Sequence, residues 1–189
     1  MIETLFNEAR SAKTFTSKRV PKDDLKRLYE LVKWAPTESN TCPIRLSFIT
    51  TSAAFFKLRP HIYDGNVPKI DSAPVAIIVA YDTDYHLKLK KLAPHLRSPT
   101  YFDELRPAHR EFHGWRSAHL QAGMLITAIR AMGWDAGPLG GIDRPGIDQT
   151  FFRDTSWKTS FIILMGEADQ TQCYPRGPRL EFDEACQIL

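Results

Sequence analysis

One short run restricts this chain more than anything else in it. Pro74 to Tyr81 reads Pro-Val-Ala-Ile-Ile-Val-Ala-Tyr, apolar without interruption and rich in β-branched residues. A half-exposed strand alternates polar with apolar positions. An uninterrupted run of this length belongs to a strand buried at the centre of a sheet. Arg45 to Thr50 and Ser160 to Met165 read as further strands.

Helical spacing occupies much of the rest. Leu5, Phe6 and Ala9 fit one face of an N-terminal helix ending near Ser11. After a break at Val20-Pro21, Lys22-Asp23-Asp24 opens a second helix, which carries Leu25, Leu28, Leu31, Val32 and Trp34 and stops at Pro36. Ala53 to Leu58 reads as a short helix. His113 to Met132 is the longest pattern, with Leu120, Met124, Leu125, Ala128 and Ile129 as its stripe and Gly133 as its end. Small residues at 118, 122, 123 and 128 suit close packing in a core or a dimer interface. Asp143 to Phe152 fits a helix with Asp143 as N-cap and Pro145 in the first turn. The tail from Tyr174 to Leu189 ends in a helix starting near Asp183. Asp82 to Glu111 is charged and holds prolines at 94, 99 and 107, so it reads as helical pieces and a mobile excursion. Trp134 to Ala136 is too short to assign, and Gly137 to Gly141 reads as a loop. Helices and strands alternate without a regular βαβ rhythm, which predicts an α+β fold.

Several function classes lose their support. No Gly-x-Gly-x-x-Gly follows a strand, and there is no phosphate-loop motif or Gly-x-Ser-x-Gly elbow. The three cysteines, Cys42, Cys173 and Cys186, form no Cys-x-x-Cys pair, so a zinc site or a disulfide framework is not expected. They fit a reducing cytoplasm. A net charge of +3 argues against non-specific nucleic-acid binding. Met1 to Ala12 does not resemble a signal peptide, and no apolar run approaches the roughly 20 residues that cross a bilayer. His109 and His113 stand at metal-ligand spacing, but the sequence His-Arg-Glu-Phe-His is not His-Glu-x-x-His and offers no third ligand. In 189 residues one compact domain is expected.

Four segments stand out as candidate chemistry, each with an ordinary structural reading beside it. Arg10-Ser11-Ala12-Lys13 puts two cations and a hydroxyl at an expected helix end, where the helix dipole alone would favour cations. Pro36 to Pro43 is a polar loop that either makes turns or presents donors and acceptors. Gly137 to Gly141 is a tight turn or a place where backbone N–H groups approach a ligand. Arg176-Gly-Pro-Arg179 is an exposed basic tail or a two-pronged grip on phosphate.

Taken in this order and spacing, the four segments resemble the nitroreductase family of FMN proteins over nearly the whole chain. Lys33-Trp-Ala-Pro-Thr37, Cys42-Pro-Ile-Arg45, Gly137-Pro-Leu-Gly-Gly-Ile-Asp143 and Pro178-Arg-Leu180 followed by Phe182-Asp-Glu-Ala-Cys186 are similar to its malonic semialdehyde reductase subgroup. The resemblance implies an α+β fold of three layers, with a central, mostly antiparallel sheet flanked by helices. It also implies an intertwined homodimer with FMN at the subunit interface. NADH or NADPH and a small substrate would use the flavin in turn, by ping-pong kinetics. A broad nitro or quinone reductase shares the same machinery.

The resemblance also assigns roles. Arg10, Ser11 and Lys13 match the motif for phosphate and ribityl chain, although many members have a further Arg at the position of Ala9. Pro36, Thr37 and Asn40 match a loop that reaches the other subunit's flavin, and Glu38 replaces a small residue there. Ile44 stands where many members have Trp. Asn66 and Lys69 match a pair at the flavin's pyrimidine edge. Gly140 and Gly141 match the loop whose N–H groups face flavin N5 and O4. Arg176 matches the C-terminal phosphate-binding residue, with Arg179 as a second candidate. No side-chain nucleophile, catalytic residue or metal is required, since the flavin carries the chemistry. Phe112, Trp115 and Arg116 border the 82–111 segment as candidates for substrate contact, and that segment's position suits a lid.

Overall fold

A computed structural model describes residues 2–96 and 101–189. The chain begins with α1 (Ile2–Phe6) and α2 (Lys22–Val32), followed by β1 (Ile44–Ile49), α3 (Ser52–Leu58), α4 (Val67–Ser72) and β2 (Val75–Asp82). Two short helices, α5 (Leu89–Leu92) and α6 (Tyr101–Glu104), precede the long α7 (Pro107–Ala131). Then come β3 (Asp135–Leu139), α8 (Arg144–Phe151), β4 (Trp157–Gly166) and a terminal turn of helix, α9 (Phe182–Ala185).

The four strands form one antiparallel sheet in the order β1-β2-β4-β3. β2 is buried at every position, as its uninterrupted apolar sequence requires. Its alternate side chains enter two separate cores. Ala76, Ile78 and Ala80 pack with Leu58, Ile70, Ile142 and Ile147 on the side of α3, α4 and α8. Val75, Ile77, Val79 and Tyr81 pack with Leu28, Val32, Ala122, Leu125 and Ile129 on the side of α2 and α7. The fold is therefore three layers, an antiparallel sheet flanked by helices, the α+β arrangement the sequence led us to expect.

Local differences from the expected elements have physical reasons. β3 is a strand despite Gly137 and Pro138, whose composition hid it. It lies at the sheet edge with Pro138 exposed, a position where proline costs no ladder bond to a further strand. The first helix ends at Phe6, well before Ser11, so Arg10 and Lys13 do not sit at its C-terminus. α7 starts six residues before His113, because Pro107 occupies its first turn, where a missing N–H costs nothing. The expected stripe on α7 divides: Leu125 and Ile129 are buried, while Leu120 and Met124 are exposed beside Phe112 and Trp115. Within the 82–111 segment, Tyr85, Leu89, Ala93 and Phe102 close a small core of their own. Residues 97–100 of the expected excursion, Pro99 among them, lie outside the described residues.

Asp82 anchors the end of β2. Burial alone would raise its carboxyl pKa. The hydroxyl of Ser156 (2.6 Å), the Asp84 N–H (2.9 Å) and the Arg45 guanidinium (2.5 Å) outweigh that and hold it low. Among the described residues, no helix is long and apolar enough to cross a membrane.

Candidate functional site

The N-terminal segment beyond α1 runs along the free edge of β3. Ser11 bridges Ala136, and the Ala12 N–H donates to the Ala136 carbonyl at 3.0 Å. Gly137 makes this approach possible, because a Cβ there would run into the Ala12 carbonyl. Further along, the Thr16 N–H donates to the Glu167 carbonyl at 2.8 Å, at the end of β4. Arg10, Ser11 and Lys13 are thus fixed by the sheet rather than by a helix.

These three residues line a cavity of about 250 Å³ together with Arg130, Arg176 and Arg179. Among the described residues, none of the lining side chains is acidic. The C-terminal tail closes one wall. Arg176 donates to the carbonyls of Asn7 and Ala9, the latter at 3.1 Å, and Arg10 donates to the Tyr174 carbonyl. The Lys13 ammonium lies 3.4 Å from the centroid of the Tyr174 ring. Arg179 turns back on its own loop, onto the carbonyls of Gly177 (3.0 Å) and Pro178 (2.8 Å).

Arg130 is the residue that sequence reasoning missed. In the last turn of a helix, a lone cation reads as a partner for the helix dipole, and nothing in its neighbourhood marks it otherwise. Burial and the nearby Arg176 charge lower its affinity for its proton, with Asp135 acting the other way. Its Nη1 donates to the Leu5 carbonyl at 3.2 Å, while its Nε is buried and meets no acceptor among the described residues.

A second group joins the first through the Phe15 N–H, which donates to Ser72 Oγ at 3.3 Å; that hydroxyl in turn donates to the Lys69 carbonyl at 2.9 Å. Lys69 Nζ donates to Asn66 Oδ1 at 2.7 Å. Asn66 Nδ2 and the Tyr63 N–H both donate to the Gly141 carbonyl, at 3.2 and 3.1 Å. A Cβ on Gly141 would stand 2.5 Å from Asn66 Nδ2, whereas one on Gly140 would meet nothing within 4 Å. Asp143 caps α8 by accepting from the Gly146 N–H at 3.1 Å, as its sequence position led us to expect.

The third group stands apart. The strand directions put the loop before β1 and the loop after β3 at the same end of the sheet, but on opposite edges. Three strand spacings, about 14 Å, separate those edges. Thr37 Oγ1 accepts from the Cys42 N–H at 3.2 Å, and Asn40 Nδ2 donates to the Leu92 carbonyl at 2.7 Å. Pro36 is exposed. The structure thus gathers Arg10, Ser11, Lys13, Arg176 and Arg179 in one cavity and links them to Asn66, Lys69, Gly140 and Gly141. It does not bring Pro36, Thr37 and Asn40 to them within one chain.

Glu38 gains a role the sequence left open. It accepts from Arg116 and pairs with His113 Nδ1 at 2.7 Å, tying the loop to α7. Burial alone would raise its pKa, but these two partners hold it below the usual carboxylate range. His113 is thereby engaged with a carboxylate. Among the described residues no cluster of His, Cys, Asp and Glu has the arrangement of a metal site.

A sequence profile described as the nitroreductase family matches residues 7–167. A Stenotrophomonas maltophilia protein, provisionally named an NADH dehydrogenase/NAD(P)H nitroreductase, is 42% identical over 187 residues, covering 99% of this chain and 95% of that protein. A provisionally assigned Bacillus subtilis nitroreductase superposes with a TM-score of 0.90 at 21% identity, over 100% of this chain and 98% of the other. A provisionally assigned Exiguobacterium sibiricum nitroreductase, solved in complex with FMN, superposes with a TM-score of 0.87 at 18% identity, over 100% and 96%.

Proposed function

The chain belongs to the nitroreductase family, and from that premise we propose that it is an FMN-dependent NAD(P)H oxidoreductase. The observation that carries this reading is the cationic cavity joined, through the β3 edge and Ser72, to the Asn66–Lys69–Gly141 cluster. One end suits a phosphate, and the other offers an amide, an ammonium and a glycine backbone.

The residues fit the group. A flavin phosphate carries about −1.5 to −2 charges near neutral pH, and Arg10, Lys13 and Arg176 are placed to neutralise it, with Arg179 in reserve. The Ser11 hydroxyl is available to the phosphate or the ribityl chain. FMN, when bound, would supply the two-electron chemistry between NADH or NADPH and a small substrate. Lys69, held by Asn66 at 2.7 Å, places a positive charge where the flavin's pyrimidine edge would lie and favours its reduced form. The backbone at Gly140 and Gly141 would orient the ring. The open space at Gly140 leaves room for a ligand to approach that backbone closely.

The working unit in this reading is a single-domain protein in the cytoplasm, assembled as an intertwined homodimer with FMN at the subunit interface. Two observations support it. Pro36, Thr37 and Asn40 lie across the sheet from the cavity, so they serve a partner's site more readily than their own. The outer face of α7 exposes Phe112, Trp115, Leu120 and Met124, an apolar surface of the kind proteins cover on association. For the substrate we propose malonic semialdehyde, reduced to 3-hydroxypropionate, with a nitroaromatic or quinone as the broader reading. Neither nucleic acid nor membrane is a partner in this reading.

The test begins with the purified protein. It should be yellow and release FMN on denaturation. A colourless protein that fails to take up FMN overturns the proposal. Steady-state rates with each nicotinamide against malonic semialdehyde, a quinone and a nitroaromatic then decide the substrate. Turnover of only the last two removes the semialdehyde assignment, and bound FMN with no turnover at all removes the enzymatic one.

A further inference from the structure

We propose that Arg130 is a phosphate-binding residue of this chain, the cation that closes the floor of the cavity between the N-terminal segment and the tail. The proposal rests on the FMN reading above and names a residue that neither the sequence pattern nor that reading assigned.

Arg130 reaches the cavity from the last turn of α7, an element that contributes nothing else to its lining. Three observations place it in the binding machinery. Its Nε is buried without an acceptor among the described residues. A buried donor left unpaired is costly, so bonds within the chain alone do not account for a guanidinium at this place. Its charge also lies close enough to Arg176 for the two to repel. Asp135, outside the lining, offsets that repulsion at Arg130, but the cavity pools Arg10, Lys13, Arg130, Arg176 and Arg179 with no acid among its described lining residues, a charge that an anion from outside would balance. Finally, a guanidinium offers its N–H groups as a planar fork that grips phosphate oxygens in pairs, which an ammonium cannot do.

A purely structural role would be to tether α1, since Arg130 Nη1 donates to the Leu5 carbonyl at 3.2 Å. That bond uses one nitrogen and leaves Nε unexplained. The tether and the phosphate role also make different demands. A tether supports any ligand of the cavity equally. A phosphate contact discriminates FMN from riboflavin, which has the same ring and ribityl chain but no phosphate.

The experiment is therefore a pair of titrations, FMN and riboflavin, into the full chain and its Arg130→Met variant, read by flavin fluorescence. The wild type should prefer FMN. In Arg130→Met, FMN affinity should fall at least about 10-fold while riboflavin affinity holds, so the preference collapses. Arg130→Lys should restore part of the preference, and it replaces the Met variant if that chain does not fold. A variant that keeps the full preference overturns the role of Arg130 alone. Equal loss of both flavins also overturns it and leaves the tether. A wild type that binds FMN no better than riboflavin overturns both this role and the phosphate assignment of the cavity. Failure to bind either flavin overturns the FMN reading with it.

Discussion

The two loops that end the sheet solve opposite backbone problems. The loop after β3 carries glycines, yet neither adopts a left-handed conformation; among the glycines only Gly133 does, at φ +84°. Gly141 is needed for room, since Asn66 leaves no space for a side chain. The loop before β1 has no glycine, yet Ser39, Asn40 and Cys42 sit at φ +50°, +53° and +43°. Left-handed backbone costs a residue other than glycine roughly 1–2 kcal/mol, so outside anchors must hold it. Here they are Thr37, Leu92 and the Glu38 pairs with His113 and Arg116. Glycine thus marks crowding in one loop, while side-chain anchors bear strain in the other. A loop strained in this way is common where a molecule must present groups to a ligand or partner.

Substitutions can break or sharpen this contrast. The largest effect is expected for Gly141→Ala. The new methyl would displace the Asn66 amide, break its bonds to Gly141 and Lys69 and cost about 1–3 kcal/mol, as overpacking does. Denaturant unfolding measures that loss, and FMN retention should fall with it. An unchanged stability would show that room is not what Gly141 provides.

Next is Glu38→Gln, which should destabilise by about 1 kcal/mol at neutral pH, the scale of a partly exposed charge-assisted pair. The pH dependence has a definite sign. Glu38 ionises more readily in the folded chain than in the unfolded one. Its contribution is full above the unfolded value of about 4.3 and is lost as pH falls through the lower folded value. The difference between wild type and variant should therefore shrink on acidification. A difference constant from pH 7 to pH 3 would remove Glu38 as the anchor.

Ser39→Gly should raise stability, by about 0.5–1 kcal/mol, because relief of the left-handed cost outweighs the added freedom of the unfolded chain. A loss of stability in thermal unfolding would deny the strain. The smallest effect is expected for Gly140→Ala, within about 0.5 kcal/mol, since nothing lies within 4 Å of the new methyl. If the methyl nonetheless lowers FMN affinity, the open space beside Gly140 belongs to the flavin.

The same contrast explains what could be read from the sequence. β2 and β4 were legible because burial on both faces leaves a continuous apolar signature. Asp143 was legible as a cap because capping is a local interaction. β3 was not, because its place at the edge follows from partners distant in sequence and its Gly-Pro content mimics a loop. The strain at Ser39, Asn40 and Cys42 was hidden because nothing in those residues requires left-handed backbone; the demand comes from Leu92 and α7. Motif resemblance found Arg10, Lys13 and Arg176, which stand in short recognisable segments. Arg130 stands in a helix, and only packing turns it toward them.

Arg10 meets the Tyr174 carbonyl across a separation of 164 residues. Contacts between such remote positions form late, after the loops between them have closed. During folding the sheet's central strands can pair before the tail docks, but the cationic cavity is incomplete until Arg176 reaches the N-terminal segment. In the FMN reading, cofactor capture would follow the docking of the tail, as the event that locks a nearly folded chain.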